Sequence, residues 1–289
     1  MGDSVYFLEA ILLGLIEGLT EFLPISSSAH LLILPTLFKL PYFGKAFDIA
    51  LHGGALAAVI FYKWELLVQI GTAFRNYARA CWVKGAMVAW KDFGDPHLSL
   101  GVVALVGAVP VALAGFCLEY AVQAYFHSML FVALMLVVFA WIMERTDREG
   151  GQNKEMADLG VRDALKIGLA QILAIFPGVS RSGIVLSAAR FLNIGRSDAA
   201  LVSLTTALPV VGGAFLVKLF KGFDQLSALA SWDSYYLLLL VCGVTTAFWS
   251  GLAGIVILEQ VMSKSNLRPF AIYRTALAVV LVVFWLIKP

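Results

Sequence analysis

Two carboxylates, Glu17 and Glu21, are followed closely by Pro24, three consecutive serines (Ser26, Ser27, Ser28) and His30. Residues four apart share one face of a helix, so the two acids point the same way. Like charges side by side need a shared cation. Carboxylate oxygens suit Mg²⁺ or Ca²⁺; a protein arginine, or hydrogen bonds across helices, would serve instead. Proline ends one helix and can open the next, and serines at a helix start leave backbone N–H groups free for an anion. Ser27 and His30 are three apart, a spacing at which a histidine can activate a serine nucleophile. The plainer alternative is a serine cap beside a buried, hydrogen-bonded histidine.

A second polar cluster lies far along the chain in PGVSRSG, residues 177–183. Pro177 and Gly178 make a turn, and Gly183 permits close approach. The guanidinium fork of Arg181 matches phosphate oxygens, and the hydroxyls of Ser180 and Ser182 with adjacent N–H groups can form an anion nest. Arg181 could equally neutralise Glu17 or Glu21, and the two roles are compatible. Asp48 and His52, in FDIALHGG, are also four apart. They either support the acids from behind or form a satisfied polar pair.

These groups sit in a chain built for lipid. Of 289 residues, 61% are hydrophobic and 14% charged, against about a quarter charged in soluble domains, and the mean hydropathy is +0.87. A net charge of +2 without a basic stripe excludes nucleic acid as a main partner. Cys81, Cys117 and Cys242 lack CxxC spacing, so neither a disulfide framework nor a zinc site is indicated. The apolar N-terminus lacks a basic leader and carries Glu9, Glu17 and Glu21, unlike a cleavable signal.

A bilayer span needs about 20 apolar residues. Stretches at 45–64, 98–118, 122–143, 198–218, 235–262 and 270–287 qualify, and 65–90, with Arg75, Arg79 and Lys84, reads as interfacial helix and loop. Glu119 and His127 fall at a loop between spans. Trp64, Trp232, Tyr235, Tyr236 and Tyr273 fit an aromatic belt, and Arg190 and Arg196 are placed to snorkel. Residues 5–38 and 162–193 are each an apolar helix, a polar break with proline and a second short helix. Irregular backbone at membrane depth must be covered by protein or line a cavity, so both read as re-entrant hairpins. GLIEGLTEFLPISSSAHL at 14–31 aligns with GLAQILAIFPGVSRSGIV at 168–185 if one gap is allowed.

Basic residues concentrate in two loops (Arg75, Arg79, Lys84 and Lys91; Arg145, Arg148, Lys154, Arg162 and Lys166), which the positive-inside rule places in the cytoplasm. The two hairpins then enter from opposite sides. The predicted fold is an all-α integral membrane protein with an inverted-topology repeat, each half one re-entrant helix-loop-helix hairpin plus three transmembrane helices. It forms a single polytopic domain over 1–289: repeat one about 1–143, a loop about 144–161, repeat two about 162–289. Such repeats put their sites where broken helices meet.

EGLTEFLPISSSAH (17–30) together with PGVSRSG (177–183) and FDIALHGGALAAV (47–59) resembles the undecaprenyl-diphosphatase family, the bacitracin-resistance proteins, over nearly the whole chain. The resemblance implies hydrolysis of undecaprenyl diphosphate to the monophosphate. That returns the lipid carrier to peptidoglycan synthesis at the outer face of the bacterial inner membrane, with a divalent cation. It further implies Glu17 and Glu21 as metal and acid–base groups, Ser27 as nucleophile with His30 as partner (or His30 itself attacking), and Arg181 with Ser180 on the phosphates. Ala29 and Val185 stand where the family usually has glycine and threonine. The phosphatidic-acid type of lipid phosphatase needs a histidine at position 187, which is Ser187 here, and is rejected. The rival function is a transporter that flips a polyprenyl phosphate; Ser27, His30 and Arg181 are more than transport demands. A homodimer is compatible with the sequence without being required by it.

Overall fold

The computed structural model describes residues 2–38, 43–84, 94–126, 128–221 and 234–287. Lys91, His127, Trp232 and the side chain of Glu119 lie outside the described parts. Among the described residues the regular structure is helical: α1 (Gly2–Phe22), α2 (Ser27–Phe38), α3 (Lys45–Tyr62), α4 (Trp64–Lys84), α5 (Pro96–Tyr125), α6 (Met129–Glu149), α7 (Val161–Gln171), α8 (Arg181–Phe191), α9 (Arg196–Lys221), α10 (Ser234–Lys264) and α11 (Arg268–Ile287). Five of them (α5, α6, α9, α10 and α11) are long and apolar enough to cross a membrane, and α3 with α4 makes a sixth candidate bent by 73° at Lys63. This is a multi-pass, all-α membrane protein.

Local chemistry sets the helix starts. Asp95 accepts from the amides of His97 and Leu98 and is followed by Pro96 at the first helical position of α5, the preferred place for proline. Ser128 accepts from the amide of Phe131 and caps α6. The sequence predicts a turn near Glu119, between spans at 98–118 and 122–143. Instead α5 continues to Tyr125 and α6 begins at Met129: one charged residue does not end a helix, whereas a serine cap starts one.

Small residues bring the helices together. A methyl group on Gly14 of α1 would collide with the carbonyl of Gly243 on α10, and one on Gly18 with Ala247 and Ser250. Gly168 of α7 faces the carbonyl of Gly107 on α5 in the same way. Close backbone approach through small residues is how helices associate in lipid, where exclusion from water no longer drives them together. The layout is α1 and α3 against α10, α7 against α5, α6 against α11, and α9 against both α3 and α5.

Hairpin one is α1, a break at 23–26, and α2. Hairpin two is α7, a 3₁₀ turn at Ile172–Ile175, a break at 176–180, and α8. They correspond position for position without a gap: Gly14 with Gly168, Glu17 with Gln171, Phe22 with Phe176, Ser26 with Ser180. Ser26 and Ser180 even share a left-handed backbone, with φ of 74° and 73°.

At the end of the bundle near the 150–160 loop, Arg190 is 1% exposed. This corrects the snorkelling expectation. Its Nε donates to Asp147 Oδ1 at 3.0 Å and its Nη atoms to carbonyls of Gly150, Gly151 and Ile194. Arg196 donates to the same Asp147 oxygen at 2.8 Å, and the Leu267 amide to the other at 2.9 Å. Asp147 thus joins α6, α8, α9 and α11. A buried charge outside water is tolerated only when so paired. Asp147→Ala is expected to lower stability by about 3–5 kcal/mol, the cost of stranding a buried partner, seen as a lower thermal unfolding midpoint in detergent; an unchanged midpoint would show that the network carries no weight.

Candidate active site

The breaks of both hairpins meet. Each has the same serine geometry: Ser26 Oγ lies 3.1 Å from Ser28 Oγ, and Ser180 Oγ 3.2 Å from Ser182 Oγ. Ser26 and Ser180 also cap α2 and α8, accepting from the amides of Ala29 and Gly183. The two breaks are then stitched to one another. Ser182 Oγ donates to the carbonyl of Leu23 at 3.0 Å, and the Gly178 amide donates to Ser28 Oγ at 3.4 Å.

Arg274 of α11, fully buried, seals this junction. Its Nη1 donates to the carbonyls of Val179 (2.9 Å) and Pro24 (3.3 Å), its Nη2 to that of Gly178 (2.7 Å), and its Nε to that of Leu136 (3.4 Å). Helix breaks leave carbonyls unpaired, and a guanidinium with five donors can satisfy several at once.

Beside the junction, Arg181 of hairpin two reaches hairpin one. Its Nη2 donates to Glu21 Oε1 and to the Glu21 carbonyl, each at 3.2 Å, and its Nη1 to the carbonyl of Ser203 on α9 at 2.8 Å. Ser27 Oγ donates to the other oxygen of Glu21, at 3.3 Å. Glu21 therefore holds an arginine on one oxygen and a serine on the other. One turn away, Glu17 is 0% exposed, and neither of its oxygens has a hydrogen-bond donor. His52 Nε2 lies 3.3 Å from Glu17 Oε1, while its Nδ1 is 2.8 Å from the Asp48 carbonyl. A carbonyl only accepts, so Nδ1 carries the proton. The Arg181 Nε–H and the Ser203 hydroxyl are also buried and unpartnered.

The structure thus brings together Glu17, Glu21, Ser27, Arg181 and His52. His30 is placed differently from the serine–histidine pairing considered from spacing. Its Nδ1 lies 2.8 Å from the Ser26 carbonyl, and its Nε2 accepts from the hydroxyl of Tyr273 at 2.7 Å, with the two rings stacked at 9°. Helix α2 begins at Ser27, and the first turn directs the histidine toward α11 and the serine toward α1. Tyr273 is accordingly a histidine partner. Sequence reading misses Arg274 and Ser203, and it misses the contact of Tyr273 with His30. Arg274 interrupts an apolar stretch, and an ionisable residue there is a signal in itself. Tyr273 and Ser203 carry no such mark.

Comparison with known proteins adds an independent line. Residues 10–280 match the model of the family described as bacitracin resistance protein BacA. A protein of Thermomicrobium roseum named undecaprenyl-diphosphatase is 37% identical over 280 residues, covering 94% of this chain and 96% of its own. Proteins of the same name from Geotalea daltonii and Clavibacter michiganensis are 36% and 37% identical, over 96% of this chain in each case and 97% and 96% of theirs.

Because Arg274 binds carbonyls of both breaks at once, Arg274→Lys should raise amide hydrogen exchange at both 23–28 and 176–182, read by mass spectrometry on the purified protein. Unchanged protection at either segment would remove the clamp from this account.

Proposed function

The chain belongs to the bacitracin resistance protein BacA family, and from that premise we propose that it hydrolyses undecaprenyl diphosphate to undecaprenyl phosphate and inorganic phosphate. One observation carries the assignment to this site: Arg181 of the second hairpin grips Glu21 of the first, and Glu21 in turn holds the Ser27 hydroxyl. A transporter needs no such triad, and the relatives are named for hydrolysis. The prenyl tail stays in lipid, while the diphosphate enters the polar junction. The first-turn amides of α2 and α8 and the unpartnered Arg181 Nε–H face the phosphoryl oxygens.

Ser27 attacks the terminal phosphorus as Glu21 takes its proton. A bond forms between Ser27 Oγ and phosphorus, and the bond from phosphorus to the bridging oxygen breaks, releasing the lipid monophosphate. Water then cleaves the phosphoserine and frees phosphate. His30, with both ring nitrogens engaged, anchors the start of α2 against α11 instead of attacking. Ser26, Ser28, Ser180 and Ser182 hold the shape of the two breaks that cradle the phosphates.

The residues present fit a divalent cation, Mg²⁺ or Ca²⁺. Glu17 has two buried oxygens without donors, and it lies with Glu21 close enough to share an ion. When bound, the cation offsets negative charge on the phosphoryl oxygens.

The finer architecture belongs to the same proposal: a single polytopic domain with two repeats inserted in opposite senses. Its support is the gap-free correspondence of the hairpins, the matched glycine contacts of α1 with α10 and of α7 with α5, and the twin serine geometry. The protein works in the bacterial inner membrane with its site open to the periplasmic face, and it recycles the carrier for peptidoglycan synthesis, the step on which bacitracin resistance depends.

Arg181→Ala and Glu21→Ala should each lower phosphate release from undecaprenyl diphosphate by at least about 10²-fold, the scale on which removing one transition-state donor acts, without loss of the folded protein. Retention of near wild-type release by both variants would refute the assignment.

A further inference from the structure

We propose that His52 is itself a metal ligand, its Nε2 completing a three-residue site with Glu17 and Glu21. The inference rests on reading the acid pair as a cation site and adds to it a nitrogen donor contributed by α3.

Three observations converge on it. One ligand atom each from Glu17, Glu21 and His52 lies within 4.8 Å of the others. Atoms so spaced can surround one ion at the roughly 2.0–2.6 Å typical of divalent cations. The Nδ1–H of His52 is committed to the Asp48 carbonyl of its own helix. In the neutral imidazole, the form that binds a metal, that leaves Nε2 as the lone-pair nitrogen, 3.3 Å from Glu17 Oε1. Metal-bound histidines are oriented in this way, by giving the other ring N–H to a carbonyl or carboxylate. Finally, Glu17 is completely buried with two oxygens that no donor reaches. At 3.3 Å from Nε2, Glu17 Oε1 faces an acceptor without hydrogen-bond geometry. With His52 neutral, two acceptors face each other in a buried space, an arrangement that a cation between them satisfies.

The ligand set has a chemical consequence. Two carboxylates alone would suit Mg²⁺ or Ca²⁺ equally. An imidazole tilts the site toward the transition series, so at equal concentration Mn²⁺ binds more tightly than Ca²⁺ or Mg²⁺. Glu21 is the shared member: it spends its oxygens on Arg181 and Ser27 as well, so occupancy at His52 and Glu17 is felt at the nucleophile.

The test uses the full chain purified in detergent and Mn²⁺ alone, without substrate. Bound Mn²⁺ is read by electron spin echo modulation, which detects a directly coordinated ¹⁴N. The wild type should show that modulation. His52→Asn should lose it and bind Mn²⁺ at least about tenfold more weakly, given that disturbing even the groups behind a ligand costs about 10–100-fold. Glu17→Gln should weaken binding as well. Mn²⁺ bound by the wild type without ¹⁴N modulation, or modulation that survives His52→Asn, overturns the proposal and leaves the acid-pair site standing. Mn²⁺ binding that neither Glu17→Gln nor Glu21→Gln alters overturns both. The wild-type spectrum decides the matter even where His52→Asn does not fold.

Discussion

Two broken helices inside an apolar bundle create a problem of unpaired backbone, and one arginine resolves it. Each break exposes carbonyls that water would normally satisfy, and a polar group left bare in an apolar interior costs several kcal/mol. Arg274 gathers carbonyls from Pro24, Gly178 and Val179, with Leu136 at its base. Among the described residues no carboxylate pairs with it. Its charge is held by backbone dipoles alone, so its bonds cannot be traded for an ion pair elsewhere. The two breaks are thereby fixed against each other, and only then can Arg181 and Glu21, 160 residues apart in sequence, lie 3.2 Å apart.

Much of this is legible in the residue string. Glu17, Glu21, Ser27 and Arg181 announce themselves because charge and hydroxyl groups in apolar stretches are costly and need a reason. The proline breaks follow from the same logic, as do the long apolar helices. What escapes the string is direction. Three-residue spacing lets Ser27 and His30 meet only if both side chains turn inward. The helix starts at Ser27 itself, so the first turn sends them to different neighbours. Arg190 escapes for a related reason: a long basic side chain near a helix end can reach solvent, and only the position of Asp147 on α6 shows why it stays inside. The alignment of the hairpins needs a gap when proline is matched to proline. Matching backbone conformation instead, Ser26 to Ser180, removes it.

The polar groups of the junction divide into two sorts, and the division argues for where the chemistry lies. Around Arg274 nearly every donor has its acceptor, as it does in the separate network of Asp147, Arg190 and Arg196 at the end of the bundle. Around Glu17 the reverse holds: two carboxylate oxygens, the Arg181 Nε–H and the Ser203 hydroxyl are buried and unmatched. A fold that satisfies its backbone so thoroughly at the junction has the means to satisfy these as well. Their free valences are complementary in kind, acceptors for a cation on one side and donors for an anion on the other, with Glu21 and Ser27 between. The matched groups make a rigid frame. The unmatched ones within it are held buried at a cost that a ligand supplying the missing cation and acceptors would relieve.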